Sequence, residues 1–139
     1  MKMLVAYDGS GSALHALKTA VSYAKVFKAM VFVVMSLYGE HRESKEEVEK
    51  AEAQLKEAEA LVKKEGIPSE GHLLVRSMAP GEDILRFAEE HHIDLIFIGI
   101  KHRSKVGKLL FGSNAQHVIL NASCPVVSVR SSRSARDLF

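Results

Sequence analysis

Met30-Val-Phe-Val-Val-Met-Ser-Leu37 is an almost continuous apolar run. A strand with one face in water alternates apolar and polar residues. A run without that alternation reads as a strand buried on both faces, which favours a parallel sheet with helices on each side. Shorter strand-like runs recur at Leu4–Tyr7, His72–Val75, Leu95–Ile98 and Val126–Val129. Pro125 introduces the last of them, a position where a strand tolerates proline.

Helical spacing fills the intervals. Ala13, Leu14, Leu17, Ala20, Val21 and Ala24 follow the turn chemistry of Asp8-Gly-Ser-Gly-Ser12. From Ser44 to Glu65 the chain is polar with a thin apolar stripe of Val48, Ala51, Leu55, Ala58 and Val62. Ser44 and Glu47 have capping-box spacing, and Gly66-Ile-Pro68 ends the segment. The stripe is too alanine-rich and short for a coiled coil, so a helix packed on a surface is expected. Pro80 and Gly81 open a helix carrying Ile84, Leu85 and Ala88, and Ser113–Leu120 forms another with Ser113 as its N-cap. The alternation predicts one doubly wound α/β domain, a five-stranded parallel sheet with helices on both faces. It spans residues 1–130, with residues 131–139 as a polar, flexible tail.

Ligands of such sheets bind beyond the strand C-termini, where strand order reverses. The ends of the first and fourth strands, Asp8 and Gly99, are the candidates for that point. After Gly99 comes a basic loop with Lys101, His102, Arg103, Lys105 and Lys108, and Gly112-Ser113 then opens a helix. A strand end, a glycine loop and a helix N-terminus together make an anion site, because unpaired backbone N–H groups point outward there. Basic residues alone would be an ordinary solvated loop. Their place between strand and helix is what favours an anion.

The chain has 139 residues and 47% hydrophobic content, enough for one core without metal or disulfide staples. A net charge of +2 is no argument for nucleic acid, and aromatic residues do not interleave the basic ones. Cys124 is the single cysteine, expected as a small buried hydrophobe, and it fits a reducing cytoplasm. The apolar start is too short for a signal peptide, and no segment approaches a membrane span. The His91-His92 pair lacks metal-ligand spacing and reads as compensation of a helix C-terminus. His15 and His117 are expected at surface or edge positions. There is no Gly-x-Ser-x-Gly elbow and no P-loop, so Ser10 and Ser12 do not read as hydrolase nucleophiles.

These residues together resemble the universal stress protein family. The resemblance is carried by Tyr7-Asp8-Gly9-Ser10 at the end of the first strand and by Cys124-Pro125-Val126-Val127 entering the last, and it covers nearly the whole chain. ATP-binding members carry Gly, two residues, Gly, nine residues, Gly, then Ser or Thr. Gly99, Gly112 and Ser113 keep that frame, and His102 replaces the second glycine.

The resemblance implies sheet order 3-2-1-4-5, the adenine nucleotide alpha hydrolase-like arrangement, and a homodimer through the last strand (Val126, Val127, Val129). It implies a nucleotide site made of Ala6, Tyr7, Asp8, Ser36, Ile98, Gly99, Lys101, His102, Gly112, Ser113 and Asn114. Asp8 would hold the ribose, the backbone at Ser36 would meet the adenine, and the glycine loop and Ser113 would hold phosphates. His102 either fills the cleft or donates to a phosphate oxygen. Gly107 offers a further flexible point in that loop.

The implied ligand is ATP or a related adenine nucleotide, with magnesium only alongside it. The implied role is a cytoplasmic stress-response module with an unnamed signalling partner and no contact with nucleic acid or membrane. The alternative is a member that keeps the fold and the dimer and binds no nucleotide. Enzymatic hydrolysis is not expected, because no general base stands beside the phosphate end.

Overall fold

The structure is a computed structural model that describes residues 1–38, 44–100 and 112–131. The elements alternate as β1 (Lys2–Ala6), α1 (Gly11–Phe27), β2 (Met30–Ser36), α2 (Lys45–Lys64), β3 (Ser69–Leu74), α3 (Pro80–Glu90), β4 (Leu95–Ile100), α4 (Ser113–Asn121) and β5 (Val126–Arg130). The five strands form one sheet in the order β3-β2-β1-β4-β5, and every pairing is parallel. The chain runs outward from β1 to β3, then crosses back to place β4 on the other side of β1. The order therefore reverses at the C-terminal ends of β1 and β4.

The central strands read as apolar runs because each is buried on both faces. Met3, Val5, Val31, Val33, Met35 and Phe97 point to the side covered by α1 and α2, where they meet Leu17, Ala20, Leu55, Ala58 and Val62. Leu4, Ala6, Phe32, Val34, Ile96 and Ile98 point to the opposite side, under Ile84, Phe87, Ala88 and Val118 of α3 and α4. At the N-terminal edge Asp94 ties β1 to the start of β4. Its N–H donates to Lys2 O at 2.8 Å, and its carboxylate accepts from Lys2 N, also at 2.8 Å.

The α2 expectations hold except at Val48, which is half-buried in the first turn of the helix. Ser44 is the N-cap and accepts from Glu47 N at 3.2 Å, and the buried stripe is Ala51, Leu55, Ala58 and Val62. Gly66 follows the helix at φ +78°, a turn that favours glycine.

Several boundaries differ from the sequence reading. β3 begins at Ser69, three positions before the predicted His72, and stops short of Val75. Ser69, Glu70 and Gly71 carry no apolar pattern, yet they pair with Val31, Phe32 and Val33 of β2. An edge strand is held there by its ladder, and α2 covers it: a Cβ on Gly71 would meet Leu55 and Glu59 side chains. Tyr7 and Leu37 lie just past their strands, whereas β4 runs on to Ile100. Cys124 is half-buried, not buried, because it sits in the bend before an edge strand. Burial and the Asp94 charge nonetheless raise its thiol pKa, against a backbone hydrogen bond that lowers it.

Among the described residues no helix is long and apolar enough to cross a membrane. Of the predicted tail, residues 132–139 lie outside the described residues.

Candidate functional site

At the strand-order reversal the structure opens a cleft of about 240 Å³. Its floor comes from strand ends: Ala6, Tyr7 and Asp8 after β1, Ser36 at the end of β2, and Ile98 and Gly99 in β4. Its walls come from helix starts: the N-cap Ser10 with Ser12 and Ala13 of α1, Pro80 and Ile84 of α3, and Gly112 just before α4 with Ser113, Asn114 and Ala115 of that helix. Parallel strands followed by helices bring all these N-termini to one edge. Their unpaired N–H groups and dipoles give that edge a positive character.

Nine predicted site residues are thus brought together: Ala6, Tyr7, Asp8, Ser36, Ile98, Gly99, Gly112, Ser113 and Asn114. Lys101 and His102, with Arg103, Lys105, Gly107 and Lys108, lie outside the described residues.

Individual roles differ from the expectation in three places. Ser113 is not an N-cap. Gly112 holds that position, with extended φ −62° and ψ 153° and no side chain to cap the helix, and Ser113 is the first helical residue. Gly99 lies inside β4, and its missing side chain serves packing. A Cβ there would fall 2.5 Å from the Ser12 carbonyl carbon and 2.8 Å from Ala13 N, so α1 can start against β4 only over glycine. Asn114 reaches sideways and not into the cleft alone: its Oδ1 accepts from Gly81 N at 2.9 Å. Ala79, the N-cap of α3, has no side chain able to cap, so Asn114 of the neighbouring helix does this instead.

Asp8 shapes the turn out of β1. Its Oδ1 accepts from Ser10 N at 2.9 Å, and Ser10 in turn caps α1 by accepting from Ala13 N at 3.2 Å. Gly9 between them has φ +81°, with the Gln54 side chain packed where a Cβ would sit. Tyr7 has its phenol pKa raised, first by burial and then by the charges of Glu57 and Asp8.

Sequence reasoning missed the group behind Ser36. The Ser36 hydroxyl donates to Asp83 Oδ2 at 2.7 Å, and Asp83 is 0% exposed. Arg76 donates from Nε to Asp83 Oδ1 at 2.6 Å, from Nη2 to the Asp83 carbonyl at 3.2 Å, and from Nη1 to Glu90 Oε1 at 2.7 Å. Burial works against the Arg76 charge, but the bonds and charges of Glu90 and Asp83 outweigh it and raise its pKa. An acidic residue in a first helical turn reads as dipole compensation. The available signal was spacing: Asp83 stands four residues before the buried Phe87, on the face of α3 that meets the sheet.

Away from the cleft, His91 packs on Phe87 with ring centroids 3.8 Å apart, and His72 lies 5.8 Å from His91. His15 and His117 are both half-buried. No group of three His, Cys, Asp or Glu able to hold a metal occurs among the described residues.

Comparison with known proteins agrees with this geometry. A model of the universal stress protein family matches residues 1–130. The chain is 36% identical over 137 residues to the Thermus aquaticus "Universal stress protein in QAH/OAS sulfhydrylase 3'region", covering 92% of this chain and 97% of that one. Among solved structures it is similar to a universal stress protein from Archaeoglobus fulgidus, with 39% identity, a TM-score of 0.84 and coverage of 93% and 98%. The universal stress protein of that organism in complex with dAMP is 35% identical, with a TM-score of 0.78 and coverage of 93% and 97%. With sheet order, strand-end turn and sequence in agreement over nearly its whole length, the chain belongs to the universal stress protein family.

Proposed function

We propose that this protein binds an adenine nucleotide in the strand-end cleft and acts as a dimeric signalling module in a stress response, without catalysing hydrolysis. The observation that carries the reading is the cleft itself. It is lined by an apolar set, Ala6, Pro80, Ile84 and Ile98, and by the polar helix start Gly112–Asn114. A flat base suits the apolar set, and a phosphate suits the N-terminus of α4. The dAMP complex of a relative 35% identical supports the ligand class.

In this reading Asp8 accepts from a ribose hydroxyl with lone pairs beyond the one used by Ser10. The N–H groups at the start of α4 and the Ser113 hydroxyl donate to phosphate. Magnesium would arrive bound to phosphate oxygens, which suits an ion that keeps much of its water shell. In this reading Asp8 lies at the ribose and not at the phosphate, so among the described residues no base is placed to activate water there. β5 is an edge strand with Val127 and Val129 packed on one side of the sheet and Val126 on the other. Pairing with a second copy would cover that edge.

Titration calorimetry with ATP, AMP and dAMP tests the proposal, together with analysis of the purified protein for carried nucleotide. Micromolar binding of at least one is expected. Asp8→Ala should weaken it by about 1.5–3 kcal/mol, the worth of a hydrogen bond to a charged group. Absence of binding at millimolar concentration would reject the nucleotide and leave a dimeric interaction module.

A further inference from the structure

We infer that Asp83 makes Ser36 a one-way hydrogen-bond acceptor toward the cleft, and that this pair selects a base bearing an amino group over one bearing a carbonyl at the same position. The inference rests on nucleotide binding in the cleft and adds how the base is chosen.

A serine hydroxyl normally adapts, donating or accepting as its neighbour requires. Ser36 has lost that freedom. Its proton is directed to Asp83 Oδ2 at 2.7 Å, and an ionised carboxylate can only accept. Asp83 cannot turn away. It is 0% exposed, and Arg76 grips it through Oδ1 at 2.6 Å and through its carbonyl at 3.2 Å. What the Ser36 hydroxyl has left for a ligand is lone pairs.

The surroundings make that single polarity count. Ser36 ends β2 and lines the cleft together with the apolar Ala6, Pro80 and Ile84, the proline lacking even a backbone N–H, and with Tyr7 and Asp8 at the end of β1. The helix start that suits phosphate follows β4. β2 and β4 flank β1 on either side, so their ends stand about 10 Å apart at ~4.8 Å per strand. A nucleotide with its phosphate at α4 thus brings its base to Ser36. A 6-amino purine offers a donor there. Hypoxanthine offers a carbonyl oxygen, which faces the serine lone pairs with neither satisfied, and an unpaired buried polar group is costly.

Asp83 acts through Ser36, so it is a positioning residue, and its variant has a distinctive outcome. In Asp83→Asn the side-chain oxygen must stay toward Arg76, because a guanidinium only donates. The amide nitrogen then faces Ser36 Oγ and donates to it. The serine proton is released toward the cleft, and the preferred partner changes from an amino group to a carbonyl.

The experiment is titration calorimetry of AMP and IMP against the wild type, Ser36→Ala and Asp83→Asn, with each fold checked by circular dichroism. Wild type should bind AMP about tenfold or more tighter than IMP. Ser36→Ala should bring the two within about twofold, chiefly by weakening AMP. Asp83→Asn should reverse the preference, an effect that a merely structural pair would not produce. Equal affinity of the wild type for AMP and IMP would overturn this inference and leave nucleotide binding standing. So would a selectivity unchanged in either folded variant. If Asp83→Asn does not fold, Ser36→Ala decides alone. Binding of neither nucleotide at millimolar concentration would overturn both readings.

Discussion

Two glycines of the cleft answer differently to the same question. A side chain at Gly99 would collide with the backbone of Ser12 and Ala13, whereas a Cβ on Gly112 would meet nothing within 4 Å. Backbone cannot swing aside as a flexible side chain does, so Gly99→Ala should push α1 away from β4. The expected loss is about 1–3 kcal/mol, the usual cost of overpacking. Gly112→Ala should stay within about 0.5 kcal/mol of wild type, since its φ of −62° suits any residue. Urea denaturation of the two variants measures the difference directly. Equal stability would mean that α1 has room to shift. Both residues belonged to one expected phosphate loop by sequence. Only the distance to α1 separates a packing glycine from an open one.

At the scale of elements, α3 and α4 depend on each other at their N-termini. Asn114 of α4 accepts from Gly81 N of α3, and close packing at Gly81 brings the Asn114 carbonyl within 3.1 Å of where a Cβ would stand. Asn114→Ala should therefore lower stability by about 1 kcal/mol, the typical worth of a helix cap, although Asn114 caps a helix other than its own. Hydrogen exchange should show the first turn of α3 opening more readily in that variant. Protection confined to wild-type values would sink the coupling. β3 teaches a related point. Its first residues Ser69, Glu70 and Gly71 belong to the strand by pairing with β2, not by their own pattern. Propensity and periodicity describe a residue's preference, and a ladder with a buried neighbour overrides both.

For the whole molecule, two predictions follow from what the sheet leaves at its margins. If β5 pairs with a second copy, the protein should sediment at twice the chain mass at micromolar concentration. Val129→Glu should then bring it to the monomer mass, because a charge on a paired edge is a strong deterrent. The second prediction concerns alkali. Tyr7 and Cys124 both have raised pKa values in the fold, mainly through burial. The unfolded chain thus releases these protons at lower pH than the folded one. Their contribution to stability is intact below the unfolded values of about 8.5 for the thiol and 10 for the phenol, and it is lost as pH rises through the folded values. The urea midpoint should fall between about pH 8 and pH 11, and Cys124→Ala should flatten the lower part of that fall. A midpoint that rises with pH would contradict the assignment.

Local chemistry determined much of this protein. Runs without alternation called for strands buried on both faces, helical spacing placed the intervening helices, and Asp8-Gly-Ser10 marked where the first strand must turn. Those signals are short-range, because the period of an element and the residues that end it are neighbours in the chain. The tertiary structure decided which groups face one another. It set Asp83 behind Ser36, 47 positions away, put Asn114 on Gly81, 33 positions away, and laid α1 against Gly99. No pattern within one element encodes such meetings. They arise when the β3 to β4 crossover carries the chain back across β1 and brings three helix starts to one cleft. Burial then fixes each polar group's partner, because an unpaired one inside the fold is too costly to persist.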